Sequence, residues 1–340
     1  KDYLKDSKRE GTVVVIGTPA EEMLYGKVAL LGEGGFDGID VLLTCHVDYQ
    51  NCAASRPTLS CFSGEFCFGG ISSHSGAARA HNALDGAELS VQTIERMRGH
   101  QFPNTSVEHV IRNGGNMPNI TPSRSTLWVN VRDANYETAK IVYENIREIV
   151  NESAKIAGVS VVEGFLAGAR GYLPNDTLGK LLYKQLEEIG VAKFDEEDMC
   201  FMRELVANVS GSTEIISEPN LCYLNDGVDP YSQDDGEASW HIPLGRVNWE
   251  IPLQIPLHNW CTTALAGTEF SKRGALMASQ ALYQAAIEMI DNPDIVKEAE
   301  KERLTRLDGK EIGKPLYDSY EVLTKNPESF WNGTWLEEKL

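Results

Sequence analysis

Two apolar runs near the start, Thr12-Val-Val-Val-Ile16 and Ile39-Asp-Val-Leu-Leu-Thr-Cys45, constrain the fold more than any other feature of this chain. Both are short and apolar, the first wholly β-branched, so they predict buried strands. Between them, residues 23–32 predict a helix closed by Gly32-Glu-Gly-Gly35. A crossover of that length joins parallel strands, which makes the segment a βαβ unit and the fold class α/β. Pro19 ends the first ladder, so Glu21 and Glu22 are expected at the carboxyl end of strand 12–18, and His46 at the carboxyl end of the second. Ligands of open α/β sheets sit on that edge. Two carboxylates beside an imidazole suit metal-assisted hydrolysis, one side chain holding an ion while another moves a proton. The carboxylate pair alone also suits the first turn of a helix.

The chain has 340 residues and a formal net charge of −19, from 31 basic and 50 acidic side chains. Such a balance argues against nucleic acid and anionic membrane as partners and for a soluble, cytoplasmic protein of two domains. No apolar run reaches the length of a membrane span and no signal-peptide pattern is present. The cysteines at 45, 52, 61, 67, 200, 222 and 261 are odd in number and contain no Cys-x-x-Cys pair. They predict reduced, free thiols rather than a disulfide framework or a zinc ribbon. Lys1 to Ser7 reads as the last turns of a helix, so a fragment or a processed piece is expected.

From about residue 58 the pattern changes. A strand is predicted over Phe62–Ser72, then a helix from its cap Asn82 to about Gly99, with Leu84, Ala87, Val91, Ile94 and Met97 on one stripe. Strands near Ser106–Arg112 and Ser125–Arg132 follow. A long helix runs from Tyr136 to about Ala157 and stops at Gly158, and a last strand begins at Ser160. The order β-α-β-β-α-β is that of a ferredoxin-like unit inserted in a larger domain. Beyond residue 168, helices are expected over 175–190 and 270–291. Phe194–Ala207 is ambiguous, Ser232–Trp240 reads as loop, and the tail after Asn292 is charged, with Trp331 and Trp335 as surface anchors.

Taken in order, several motifs resemble the aminoacylase/carboxypeptidase G-type dinuclear metallopeptidases. They are Gly17-Thr-Pro-Ala-Glu-Glu22, His46, Ser73-His-Ser-Gly76 with Arg79, Asn82-Ala-Leu-Asp85 and Asn113-Gly-Gly-Asn-Met-Pro-Asn-Ile120. Ala238-Ser-Trp240 and Leu257-His-Asn-Trp260 bring it nearest the branch that cleaves p-aminobenzoyl-glutamate. The resemblance implies a metallopeptidase-like catalytic domain, a mixed sheet flanked by helices, built from residues 1–57 and 168–340. It implies a lid and dimerisation domain of ferredoxin-like form over residues 58–167, through which a homodimer assembles. It implies two divalent ions, zinc or manganese, held by Glu22, His46 and His258, with Glu21 as general base. His74 matches a histidine that reaches the partner subunit's site and polarises the scissile carbonyl. Asn119 and Arg132 match residues that hold the substrate's carboxylate, a role for which a bidentate guanidinium is suited. Singly, His46, His74 and His258 would be ordinary histidines and Arg132 a surface ion-pair partner. His81, His100, His109 and His241 match no role.

The implied substrate is an N-acyl or N-aroyl amino acid, with p-aminobenzoyl-glutamate favoured. Three departures qualify that reading. A Cys-Gly-His segment that supplies further ligands in this branch is absent, and three ligands are too few for two ions, so either a separate N-terminal fragment is a partner or this polypeptide cannot hold two metals. His46-Val47 also stands where His-Pro is usual, and Asp234 and Glu237 lie in a loosely matching loop without an assigned role. The reading from a different class is a catalytically silent dimerisation or substrate-binding module that keeps the fold without a complete site.

Overall fold

The computed structural model describes residues 2–74, 81–212, 214–215, 220–315, 334 and 336–340. Ser75, Gly76, Arg79, Trp331 and Trp335 lie outside the described residues. Two four-stranded sheets organise the chain. Short helices α1 (Asp2–Ser7) and α2 (Gly26–Gly32) precede strands β1 (Leu42–Asp48) and β2 (Asn51–Ala54). The second sheet then forms from β3 (Ser60–Gly69), α3 (Ala83–Gln101), β4 (Ser106–Ile111), β5 (Arg124–Asp133), α4 (Tyr136–Ala157) and β6 (Ser160–Ala169). The chain returns through α5 (Asp176–Ile189), α6 (Glu196–Ser210), β7 (Leu221–Leu224), α7 (Asp235–Ser239) and β8 (Leu244–Glu250). Helices α8 (Trp260–Ala266), α9 (Glu269–Asp291) and α10 (Asp294–Leu307) follow.

The inserted unit has the expected β-α-β-β-α-β order, with strands ranked β4-β5-β3-β6 and every pair antiparallel. Local chemistry fixes its helices. Asn82 accepts the Leu84 N–H and Asn135 accepts the Thr138 N–H, satisfying first-turn donors. Gly158 ends α4 in the left-handed region at φ 67°. Ala139, Val142, Tyr143, Ile146, Val150 and Ala154 recur on one face of α4 and pack on Phe62, Phe66, Leu127 and Val129 of the sheet. Each fully buried aliphatic or aromatic side chain of this kind contributes roughly 1.5–3 kcal/mol.

A register shift at Ser63/Gly64 lets the Tyr143 hydroxyl sit directly over Gly64. That hydroxyl donates to Glu163 at 3.0 Å, and its ring packs at 5.9 Å on Phe62 and 5.5 Å on Phe165. A Cβ at position 64 would overlap the hydroxyl, and the packed ring cannot retreat. Gly64→Ala is therefore expected to lower stability by about 2–3 kcal/mol in urea unfolding. Adding Tyr143→Phe should restore part of that loss; no recovery would mean the strain lies elsewhere.

The other sheet is mixed, ordered β1-β8-β2-β7, with β1–β8 and β2–β7 parallel and β2–β8 antiparallel. One face, carrying Ala53, Val247 and Leu43, is covered by α5 and α9 through Leu178, Leu182, Leu186, Met277, Ala281 and Ala285. Small residues along α9 let it approach closely. The opposite face is polar. It presents Thr44, His46 and Asp48 from β1, and beside them their register partners Arg246, Asn248 and Glu250 from β8.

Two expectations are corrected here, and two segments left open are resolved. Thr12–Ile16 is not a strand: Val13, Val14 and Val15 are 59%, 53% and 94% exposed, and β1 pairs in parallel with β8 instead. β-Branched residues favour extended backbone, but without a partner ladder they remain exposed chain. Residues 235–239 form a buried helix rather than loop, because Asp234, Asp235 and Glu237 all find cationic partners. Phe194–Ala207 resolves as helix over Glu196–Ser210, with Asp195 and Asp198 forming a reciprocal cap. Part of the charged tail is α10, whose Glu302 accepts the N–H groups of Asp176 and Thr177 and so caps α5. Among the described residues no helix is long and apolar enough to cross a membrane.

Candidate active site

The segment Pro19–Lys27 folds back on itself. Ala20 and Leu24 both adopt positive φ, 67° and 52°, around the tight turn Glu21–Met23. The Tyr25 and Gly26 N–H groups return to the Ala20 carbonyl at 3.4 Å. Gly26 is required there, since a Cβ would overlap the Pro19 carbonyl. Lys27 then anchors the turn to α7: its backbone N–H reaches Asp234 Oδ2 at 2.8 Å and its Nζ reaches Oδ1 at 2.7 Å. Asp234 is fully buried, so this is a desolvated pair.

The fold gives the two adjacent carboxylates different environments. Glu21 is half-buried, and that burial, then the negative charges of Asp234 and Glu22, raise its pKa to about 7. Glu22 turns outward and meets His258, its Oε2 lying 3.6 Å from the imidazole Nδ1. Both side chains of that pair are largely exposed. His258 itself stands at a positive φ of 58°, immediately before Asn259, which caps α8 by accepting the Cys261 N–H.

His46 takes a different course. It lies within β1, not beyond it, and its Nδ1 rests against the Val47 carbonyl. Burial, with the nearby Arg246 cation adding to it, lowers its pKa. Among the described residues no three His, Cys, Asp or Glu side chains converge to hold an ion. Of the ligand set Glu22, His46 and His258, the structure brings the first and third together and leaves the second out. The residues present therefore do not fit a closed two-ion centre in this arrangement.

The polar sheet face supplies residues that sequence reasoning missed. Arg246 is 1% exposed, its guanidinium 5.0 Å from the Tyr172 ring centroid and 5.7 Å from that of Tyr231. Asp235 accepts Arg246 Nε at 3.2 Å and the Thr44 hydroxyl at 3.3 Å. Both Nη atoms of Arg246 and the Oδ1 of Asp235 are buried without a hydrogen-bond partner. The signal available was a single arginine in the otherwise apolar run Ile242–Val247, with a pair of aspartates just upstream. Glu237, left without a role above, accepts the Arg170 N–H at 2.8 Å and pairs with its guanidinium.

The insert's candidates fall at opposite ends of its sheet. His74 is exposed and bridges Ile120, which places it beside exposed Asn119. That end of β5 begins at Arg124, opposite Gly69, whereas Arg132 stands eight positions on, opposite Cys61. Eight residues of strand span roughly 26 Å. Arg132 instead lies 3.4 Å from Glu108 through its Nε. The structure thus groups His74 with Asn119 and keeps Arg132 apart from both, so Asn119 and Arg132 of one chain do not share a ligand carboxylate.

Residues 60–157 match the family model described as the peptidase dimerisation domain. The chain is 23% identical over 332 residues to one of the subunits of p-aminobenzoyl-glutamate hydrolase from Escherichia coli K12, covering 89% of this chain and 69% of that protein. The fold matches that of the aminobenzoyl-glutamate utilization protein from Klebsiella pneumoniae with a TM-score of 0.57 at 16% identity, over 84% of this chain and 65% of the other. A Bacillus subtilis protein described as a dinuclear metal binding peptidase from the M20 family matches with a TM-score of 0.50 at 15% identity, over 84% of this chain and 67% of its own length. Residues 60–157 thus carry a peptidase dimerisation domain, and the chain as a whole is similar in sequence and fold to peptidases and amidohydrolases. It spans about two thirds of the length of these relatives.

Proposed function

We propose that this chain is the larger part of a metal-dependent amidohydrolase that cleaves an N-acyl or N-aroyl amino acid, with p-aminobenzoyl-glutamate the favoured substrate. The observation that carries the reading is the meeting of Glu22 with His258, brought from distant parts of the sequence to 3.6 Å, next to the half-buried Glu21 whose pKa is raised. A carboxylate–imidazole pair next to a carboxylate with a raised pKa is the arrangement a hydrolytic site needs. Glu21 takes the proton of the attacking water and returns it to the nitrogen of the departing amino acid. The developing oxyanion calls for a donor at the scissile carbonyl, and His74 is the residue assigned to it. Arg132 and Asn119 are the assigned anchors for the substrate carboxylate, each serving a different site of a dimer given their separation along β5.

Divalent ions belong to the family reading, and Glu22, His258 and His46 are the donors this chain offers for them. Residues 1–340 alone are expected to bind at most one divalent ion tightly and to release little p-aminobenzoate from p-aminobenzoyl-glutamate. Elemental analysis of the purified protein and a product assay check both. Supplying a segment that carries cysteine and histidine donors should raise ion content and activity together. Two tightly bound ions with full activity in the chain alone would overturn this expectation.

One observation favours the second reading, a silent dimerisation or substrate-binding module: no three ligand side chains converge among the described residues. Under that reading p-aminobenzoyl-glutamate binds but is not cleaved, even after donors are supplied. The same assay, run beside a calorimetric titration, separates the two.

A further inference from the structure

Strands β2 and β7 run parallel with Cys52 directly opposite Cys222. Neighbouring strands lie about 4.8 Å apart, inside the roughly 4.4–6.8 Å over which a disulfide joins two Cα atoms. Register partners project to one side of a sheet, so the two thiols face the same way, on the polar face that also carries Asn248, the partner of Cys52 on β8. Their exposure differs. Cys52 is wholly buried, whereas Cys222 is half-buried and forms part of the wall of a cavity of about 500 Å³. Arg56, Asp229, Tyr231 and Glu250 share that wall. All seven cysteines are free thiols, and no other cysteine stands opposite a second one in a ladder.

We propose that Cys52 and Cys222 are a redox-reactive dithiol, which a small organic disulfide entering the cavity converts to an intramolecular disulfide. The two thiols have unequal parts to play. The hydrogen bond from the Cys52 thiol lowers the pKa of Cys222 against the effect of its burial, and the Arg56 cation adds to the lowering. The same bond, with burial, raises that of Cys52. Because Cys222 lines the cavity and Cys52 is buried behind it, Cys222 is the attacking thiolate and Cys52 the resolving thiol. Cys222 attacks one sulfur of the reagent, forming a mixed disulfide and expelling one thiolate. Cys52 then gives up its proton, attacks the Cys222 sulfur and expels the second thiolate. Two protein thiols are oxidised and the reagent is reduced to two thiols.

The test uses oxidised glutathione on the native chain, followed by alkylation under denaturing conditions and peptide mapping. Cys52 and Cys222 should lose their alkylation together and appear in one linked peptide, and dithiothreitol should restore both. Cys52→Ser should stop the sequence at a glutathionyl adduct on Cys222, while Cys222→Ser should leave Cys52 fully alkylated. Modification of exposed Cys45 and Cys200 with Cys52 and Cys222 both still alkylated would overturn the proposal. So would a stable glutathionyl adduct on Cys222 of the unsubstituted chain without a linked peptide. Because mapping of the unsubstituted protein decides the question, a poorly folding variant does not obscure it.

Discussion

Glu21→Gln should reduce amide hydrolysis by about 10²–10⁴-fold, the contribution typical of a positioned general base. It should leave ion content close to that of the unsubstituted enzyme. Glutamine keeps the shape and the hydrogen-bonding reach of the side chain but cannot accept a proton. Its neighbour should behave differently. Glu22→Gln is expected to lower ion occupancy first, with activity falling in proportion, because Glu22 is the outward carboxylate that meets His258. The distinction rests on environment: one side chain is half-buried and feels the charges of Asp234 and Lys27, the other is largely exposed. Activity in the complete enzyme and elemental analysis of each variant check the pair. Full ion content and full turnover in both would remove the hydrolase reading.

Mixing two inactive variants, His74→Ala and Glu21→Gln, should recover about a quarter of the unsubstituted activity if His74 serves the neighbouring protomer. Random exchange makes about half the dimers mixed, and each mixed dimer holds one intact site of two. The placement of His74 motivates the experiment. It is exposed beside Asn119 at the far end of the inserted sheet, roughly 26 Å along β5 from Arg132. The edge strand β4 pairs with β5 alone, leaving an edge on which a twin could pair across a two-fold axis. Exchange of protomers is verified separately by native mass spectrometry. With exchange established, no recovered activity would mean that His74 acts within its own chain or not at all.

The inserted unit is legible in the sequence because its signals are local. Asn82, Asn135 and Gly158 mark helix ends by side-chain or backbone chemistry that needs no distant partner, and the apolar stripe of α4 repeats over about four turns. The mixed sheet is harder to read. β2 and β7 are four residues each, too short for periodicity to register, and β8 is interrupted by Arg246. Thr12–Ile16 misleads, since β-branching describes a residue's preference and not the presence of a neighbouring strand. At the site, the Glu21–Glu22 pair stands out from its neighbours, but the approach of His258 does not. Its partner lies at the other end of the chain, and only the ordered motifs of a family link the two. The Arg246–Asp235 cluster carries no such motif and emerges only from burial.

Five non-glycine residues among those described have positive φ, and three of them, Ala20, Leu24 and His258, flank the Glu21–Glu22 turn and its imidazole partner. Left-handed backbone disfavours each by about 1–2 kcal/mol relative to the right-handed region. The fold therefore tolerates its greatest conformational discomfort where Glu22 meets His258. Selection for heat resistance alone would favour glycine at 20 or 24, or a relaxed His258, and each change would loosen the placement of those side chains. Thermal robustness and hydrolytic competence pull this short turn in opposite directions, and an engineer would have to seek added stability in the inserted sheet and its helices instead.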